Sequence, residues 1–596
     1  MSVLDLRLLG HALPNWLRGS VSEFNLATEY QPVLPHLPRR HLVESLRRVP
    51  AGEIKQVLQS QTLPVAWLPG LVLYAGCGPR APEYASRQQL ELVAQVAPAD
   101  FQQALRQVWG ERLVHHATCQ LHNSNPAHSA RRRTSPGQIA AFAGILICLA
   151  AGFAVLPFTL AWAAVSAIIG LFFLSIIALR LFATLPNSQS PRKTAVGVPD
   201  SELPSYSVLV PVFREVAVLD QLLFALLRLN YPHGKLDIKI IVEESDTSMR
   251  RALVGYELPP HFEVIVVPEG KPQTKPRALN YALQFANGEL LAIYDAEDIP
   301  EPNQLRIAAR RFHGASDELA CLQAKLVFFN PNENWLARQF AAEYAVLFGL
   351  VLPALAEKGL PLPLGGTSNH FRTHIMRKIG AWDPYNVTED ADLGLRLARL
   401  GYQTGVINSL TYEEANTQFA NWTRQRARWL KGFLQTWLVH MRNPLRLVNE
   451  IGASGFWVLQ SCTIGIFISA LLHPILLALT ASFFLFNPLP AADLSLGFTV
   501  LGGLNLATFA SGYGVTMIAA NKALKRQGLR NWWLTIATMP AYWLLMSIAA
   551  WLALWQFIVA PSEWNKTEHG LSKLQQPYPV NGRRPSRRRA ASSRAA

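Results

Sequence analysis

The chain has 596 residues, a formal charge of +15, and hydrophobic residues at 50% of its positions. That length allows several domains, and that apolar share argues against a simple water-soluble globule and directs attention to membrane spans. The basic excess leaves three partner classes open: nucleic acid, anionic lipid, or a phosphate-bearing substrate. Five cysteines at 77, 119, 148, 321 and 462 show no pairing rhythm, so neither a disulfide framework nor a cysteine zinc site is expected. The opening residues "MSVLDLRLLGHALPNW" lack the basic-then-apolar pattern of a secretory leader.

Residues 1–136 read as a small cytoplasmic α+β domain. Helical patterns "LVESLRRV" and "ADFQQALRQVWGERL" flank a strand pair, "PVAWLPGLVLYAG", and the basic linker "SARRRTSPGQ" closes the segment. Two apolar runs follow, at about 138–156 and 159–179, on either side of Pro157. Neither carries a charge, and each is long enough to cross a hydrocarbon core of ~30 Å, so 137–183 is read as two transmembrane helices. Arg131, Arg132 and Arg133 precede the pair, and Arg180, Arg192 and Lys193 follow it, which places both ends in the cytoplasm.

Over 200–445 the texture is α/β. "SYSVLVPVF", "DIKIIVEES", "FEVIVVPEG" and "ELLAIYDAED" are short β-branched strands, with helical stretches such as "VLDQLLFALLRLN" and "KPRALNYALQFANG" between them. This alternation predicts βαβ units on a mainly parallel sheet, with ligands at the carboxyl ends of the strands. "NENWLARQFAAEYAVLFGLVLPAL" (332–355) carries Glu333, Arg338 and Glu343 in its first half and reads as an interfacial helix. Two more spans are expected within 455–520, at about 458–486 and 497–519, before the basic, cytoplasmic "NKALKRQGLRNWW". A span over 534–559 would put the basic tail "NGRRPSRRRAASSR" outside, so an interface helix over 530–560 is preferred, with a fifth span as the alternative. The tail, 576–596, reads as disordered.

Four charged clusters punctuate the α/β segment: "IVEESDTS", "YDAED", "NVTEDADLG" and "QRARWLKG". Singly, each has a plain reading. Thr388 suits a helix N-cap, with Glu389 and Asp390 facing the helix dipole; "QRARWLKG" suits a basic helix face near a membrane. In order, with "PVFRE" (211–215) before them, they resemble the processive membrane glycosyltransferases of family 2, the group of cellulose, chitin and hyaluronan synthases. "WNKTEHG" (564–570) resembles the gating loop of cellulose synthases, which implies gating roles for Lys566, Thr567 and His569 over 561–575.

The resemblance implies a GT-A-like α/β domain embedded between transmembrane helices. It implies inverting transfer of a hexose from a nucleotide-sugar donor, UDP-linked by expectation, to a growing β-linked polysaccharide, coupled to export. Asp295, Glu297 and Asp298 are the metal candidates for Mg²⁺ or Mn²⁺, with Asp295 and Glu297 as ligands and Asp298 behind them or capping the loop. Pro211, Glu215, Glu244, Lys275, Arg277, Asp295 and Arg428 are implied to bind the donor. Asp390, beside Glu389, is the implied general base, while Trp429 and Gln425 meet the acceptor sugar. Asn369 and His370, in "GGTSNHF", are offered for the acceptor pocket, with a structural role for His370 equally open. The partners implied are a nucleotide-sugar donor, a glycan acceptor, the lipid bilayer and envelope export proteins. Nucleic acid is not expected, since Lys and Arg gather at membrane edges and in the tail. The localisation implied is the inner (plasma) membrane, multi-pass, with the catalytic domain cytoplasmic. A non-processive envelope or lipid glycosyltransferase, or a non-catalytic export component, are the alternatives. The N-terminal segment resembles the N-terminal module of type II secretion ATPases, which in some members binds cyclic di-GMP; a regulatory or docking role is expected.

Overall fold

A computed structural model describes residues 34–68, 71–77, 81–185, 198–486, 496–529, 532–560 and 570–572. The N-terminal domain runs α1 (Arg39–Arg48), α2 (Ile54–Ser60), β1 (Thr62–Leu68), β2 (Leu71–Gly76), α3 (Ala81–Gln88), β3 (Glu91–Gln95) and α4 (Pro98–Ser124). Its three strands lie in the order β1-β2-β3, the first pair antiparallel and the second parallel. Helices α5 (Pro136–Val155) and α6 (Phe158–Thr184) follow. A capping box between Ser135 and Gln138, with Pro136 at the first helical position, starts α5. No α5 residue is buried by protein, and Phe142 and Ile147 are exposed. An uninterrupted apolar helix this bare fits a lipid surround.

The α/β domain continues through β4 (Tyr206–Val212), α7 (Leu219–Leu227), β5 (Leu236–Glu243), α8 (Thr247–Val254), β6 (Phe262–Val267), α9 (Lys275–Leu283), β7 (Leu290–Ile293), β8 (Ile299–Pro300), α10 (Gln304–Phe312) and β9 (Leu319–Phe328). Then come α11 (Trp335–Val346), a π-helical turn (Leu347–Val351), α12 (Leu352–Glu357), β10 (Asn369–Arg372), α13 (Thr373–Lys378), α14 (Glu389–Arg399), β11 (Gln403–Glu413) and α15 (Phe419–His440). The eight-stranded sheet has the order β6-β5-β4-β7-β10-β9-β11-β8. Strands β6, β5, β4 and β7 are parallel neighbours, as are β9 and β11, while β10 runs antiparallel between β7 and β9. β4, β5 and β7 are buried almost throughout, because helices cover both faces; their apolar runs are accordingly continuous rather than alternating.

The two domains share one hydrophobic core. Leu105, Trp109 and Leu113 of α4 pack with Leu279, Leu283 and Phe285 of the α9 region. Asn280 donates to the Ala117 carbonyl (2.9 Å) and Gln284 to the Leu113 carbonyl (3.2 Å). The N-terminal domain is therefore clamped to the helix that begins with Lys275.

The last helices are α16 (Pro444–Cys462), α17 (Ile464–Phe486), α18 (Leu496–Arg526), α19 (Trp533–Ala537) and α20 (Met539–Val559). By length and composition four stretches can cross a membrane: Pro136–Val155, Ala164–Thr184, Trp335–Glu357 and Met539–Val559. The bent pair Pro444–Cys462 and Ile464–Ala478 makes a fifth. The expected span at 497–519 falls short on composition, because Asn505, Thr508, Ser511, Tyr513 and Thr516 dilute α18; it packs along α6. Two-thirds of Trp335–Glu357 is covered by protein, and α11 touches β9, α18 and α19.

Candidate active site

At the carboxyl ends of β4, β5 and β7 a cavity of about 430 Å³ opens. Pro211, Glu215, Glu243, Lys275, Asp295, Glu297, Glu389, Asp390, Gln425, Arg428 and Trp429 line it. All four quoted clusters thus meet there, three delivered by the end of a strand or the start of a helix and "QRARWLKG" from within α15. Eight acidic residues face three basic ones, Arg214, Lys275 and Arg428. Such an excess favours a cation.

Asp295 follows β7, and its Oδ1 lies 2.5 Å from Lys275 Nζ. Lys275 also donates to the Gly366 carbonyl (2.7 Å). Burial opposes the lysine's charge, but Asp295, Glu389 and Asp390 together hold it above the ordinary ammonium range. Asp298 has another task. Its Oδ2 accepts from the Asp295 N–H (2.7 Å) and from the Thr367 hydroxyl, closing the turn that aims Asp295. Its Oδ1 is buried without a hydrogen-bond partner among the described residues.

Glu389 and Asp390 open α14. Thr388 occupies the N-cap position, but its side chain does not cap the helix. Its backbone N–H and hydroxyl both turn to Asn386. Gly432 of α15 makes room for it, since a Cβ there would sit 2.3 Å from Thr388 Cγ2. Burial first, then Asp390, pushes Glu389 up to about 8. Burial raises Asp390 as well, against the pull of Lys275 and Arg428.

Glu413, at the end of β11, escaped the sequence reading. Burial, then Asp298, Glu297 and Asp295, drives its carboxyl well above the usual range. Glu414 beside it accepts from the backbone N–H groups of Gly570 (2.6 Å), Leu571 (2.8 Å) and Ser572 (2.6 Å). Lys566, Thr567 and His569 lie outside the described residues, but the chain leaving them is tied to the cavity rim. The signal in the sequence was "YEEAN", a strand end as acidic as "YDAED".

A second cavity, of about 660 Å³, lies among α6, α11, α15–α18 and α20. Both cavities are lined by Tyr344, Gly366, Thr388, Asp390 and Trp429. Trp429 stacks near Tyr344 (ring centroids 6.3 Å apart) and meets Phe340 edge-on. Arg426 makes a bidentate pair with Glu343 (2.8 and 2.6 Å), donates to the Tyr542 hydroxyl (3.0 Å) and lies over Phe340 and Trp429. It joins α15 to α11 and α20.

Residues 204–432 match the family described as "Glycosyltransferase like family 2". This segment is a family 2-like glycosyltransferase domain. The chain is 29% identical over 238 residues to the probable glycosyltransferase YdaM of Bacillus subtilis, covering 39% of this chain and 56% of that one. It is 26% identical over 297 residues to a beta-monoglucosyldiacylglycerol synthase of Synechocystis, covering 48% of this chain and 60% of that one. It is 26% identical over 280 residues to the UDP-forming cellulose synthase catalytic subunit of Pseudomonas fluorescens, covering 46% and 35%. The chain thus spans about half the length of the curated relatives it matches, or less. Among solved structures, a mannosyltransferase of Pyrobaculum calidifontis in complex with GDP-Man and Mn²⁺ aligns with a TM-score of 0.38 and 18% identity, over 59% of this chain and 98% of that one.

Four expected site residues of the glycosyltransferase domain stand elsewhere. Arg277 is fully buried and ion-paired to Glu243 (2.6 Å), so it braces a cavity-lining carboxylate instead of lining the cavity itself. Glu244 points away from the cavity to Arg106 of α4 (3.2 Å). Asn369 donates to the Gly365 carbonyl from within β10. His370 is sealed in the core between the Tyr206 hydroxyl (2.7 Å) and Gln304 (3.2 Å), and burial depresses its pKa to about 3. Asp298 closes the turn behind Asp295.

Among the described residues no three His, Cys, Asp or Glu side chains form a ready metal cage. A magnesium-type ion in a phosphate site needs only one or two protein carboxylates. The crowded carboxylates Asp295, Glu297 and Glu413 fit such an ion.

Proposed function

We propose that this protein is an inverting glycosyltransferase acting at the cytoplasmic face of the inner (plasma) membrane on a nucleotide-sugar donor, UDP-linked by expectation. The observation that carries the reading is the position of Asp390 on the wall common to a carboxylate-lined cavity and a cavity among apolar helices. Asp295 and Glu297 would hold Mg²⁺ or Mn²⁺, with Glu413 facing them, and the ion would neutralise charge on the diphosphate leaving group. Lys275 and Arg428 bind the diphosphate directly. Asp390 takes the proton from an acceptor hydroxyl as its oxygen attacks the anomeric carbon. Attack opposite the leaving group turns an α-linked donor into a β-linked product. Trp429 presents an aromatic face at the junction for the acceptor sugar.

If the product is a growing β-linked polysaccharide, the second cavity is its way out through the membrane, and export proteins would receive it. A lipid acceptor is the second reading, favoured by the lining of that cavity: Ile169, Phe173, Ile177, Val351 and Phe509 offer sugar hydroxyls no hydrogen bonds. The test is to supply membranes carrying the protein with a panel of labelled nucleotide sugars. One donor should be consumed in the presence of Mg²⁺ or Mn²⁺, with label recovered in β-linkage. Consumption without metal, or an α-linked product, would refute the mechanism.

A further inference from the structure

We propose that the membrane cavity seats a hydroxyl-bearing phospholipid of the phosphatidylglycerol type as sugar acceptor, with its phosphate on Arg180 and its head-group hydroxyl at Asp390. The proposal rests on the glycosyltransferase reading above and names its acceptor class.

Arg180 lines this cavity. It lies on α6, four residues before the helix ends at Thr184, thus ~6 Å along the axis from that end. Its Nη1 donates to Thr516 Oγ1 of α18 (2.6 Å). Among the described residues it forms no ion pair. The other charged residues lining the cavity are Glu343, Arg426 and Asp390. Glu343 is held bidentately by Arg426, and Asp390 faces Lys275 and Arg428 on its other side. Arg180 thus feels the attraction of Glu343 but has no ion pair of its own, in a wall mostly of Ile, Phe, Leu and Val with a few polar members such as Ser166, Asn505 and Thr508, and its charge is costly until an anion sits against it. Basic pockets between membrane helices near the cytoplasmic face are suited to lipid head groups.

The wall chooses between anions. Free phosphate or an acidic sugar would satisfy Arg180 but leave the apolar lining wet. A phospholipid satisfies both, with acyl chains against Ile169, Phe173, Ile177 and Phe433. Asp390 narrows the head group. A lipid whose phosphate itself attacked would need no base, whereas a hydroxyl head group does. The hydroxyl oxygen forms the new bond to the anomeric carbon. The bond from that carbon to the donor phosphate breaks, the nucleoside diphosphate leaves with the electron pair, and the proton passes to Asp390.

The full-length protein would be reconstituted in phosphatidylcholine vesicles containing phosphatidylglycerol, phosphatidylserine or diacylglycerol. Each would be given the panel of labelled nucleotide sugars, and label would be measured in the organic phase and in alcohol-insoluble material. The proposal expects organic-phase label at least tenfold higher with phosphatidylglycerol than with either other lipid. It expects Arg180→Gln to raise the KM for phosphatidylglycerol tenfold or more and Arg180→Lys to recover most of the loss. Equal labelling of diacylglycerol, or a phosphatidylglycerol KM that Arg180→Gln leaves unmoved, overturns the phosphate site. Label only in alcohol-insoluble polymer, whatever the lipid, overturns the lipid acceptor while leaving the glycosyltransferase intact. No consumption of any donor would instead refute the reading beneath it.

Discussion

The two cavities that meet at Asp390 are built on opposite principles. The strand-end cavity collects eight acids against three cations, and burial pushes several of those acids up. The helix cavity is larger and mostly apolar, with one charge, Arg180, that has no ion pair among the described residues. On the proposed reading the first would take a cation and the diphosphate it accompanies, and the second an apolar body with a single anionic point. The comparison teaches that the domain's chemistry and its substrate choice are separable. On that reading the strand ends set the reaction, and the apolar helices set what is brought to it.

Breaking the junction should have the largest effect. A Cβ at Gly366 would lie 3.1 Å from Asp390 Oδ2 and 3.9 Å from Lys275 Nζ. Gly366→Val should therefore lower the transfer rate by ~100-fold or more, through displacement of the base. Purified protein with unchanged melting and a normal rate would mean that the two cavities do not communicate there. Next is the clamp between them. Arg426→Ala leaves Glu343 without its partner and should destabilise the protein by about 3 kcal/mol. The paired change Arg426→Met with Glu343→Leu should recover most of it, read as thermal unfolding in detergent.

The acid pair sharpens the comparison by pH. The folded-state values of Glu389 and Asp390 are raised, so both carboxyls hold protons at a pH where free ones would not, and the base becomes available as pH rises. The pH profile of kcat/KM should climb along a limb above the ordinary carboxylate range, as Asp390 ionises. In Glu389→Gln that limb should move little, because burial rather than Glu389 is what raises Asp390. The same sign applies to stability: a raised carboxyl stabilises the fold most below its unfolded value and loses that contribution as pH rises towards 8. The smallest effect should come from Arg106→Ala, which removes a half-exposed pair outside both cavities. It should cost under ~1 kcal/mol and change the donor KM about twofold or less. A tenfold rise would return Glu244 to the donor site.

The β-branched strands and their acidic ends were legible because a buried parallel strand must be apolar until it stops, and the charges there announce the stop. Glu413 was hidden because β11, "QTGVINSLTYE", is half polar and lacks such a run. Adjacent residues were harder to separate. At the end of β5 the chain turns Glu243 to Arg277 and Glu244 to Arg106, and "EES" carries no sign of which faces the cavity. On α15, Arg426 and Arg428 lie two apart and so occupy different faces: one clamps helices, the other meets the acids. His370 reads as chemistry in a list of residues and as packing once Tyr206 and Gln304 enclose it. The shared core between the N-terminal domain and α9 was invisible, since α4 is apolar on more than one side.

The most direct test of the account is Asp390→Asn in reconstituted vesicles, with labelled donor transfer and nucleotide binding measured on the same preparation. The account predicts that transfer falls by ~10³-fold or more while nucleotide affinity stays within a few-fold. Transfer retained within tenfold of the parent would contradict the assignment of the base, and with it the claim that the two cavities serve one reaction at that carboxylate.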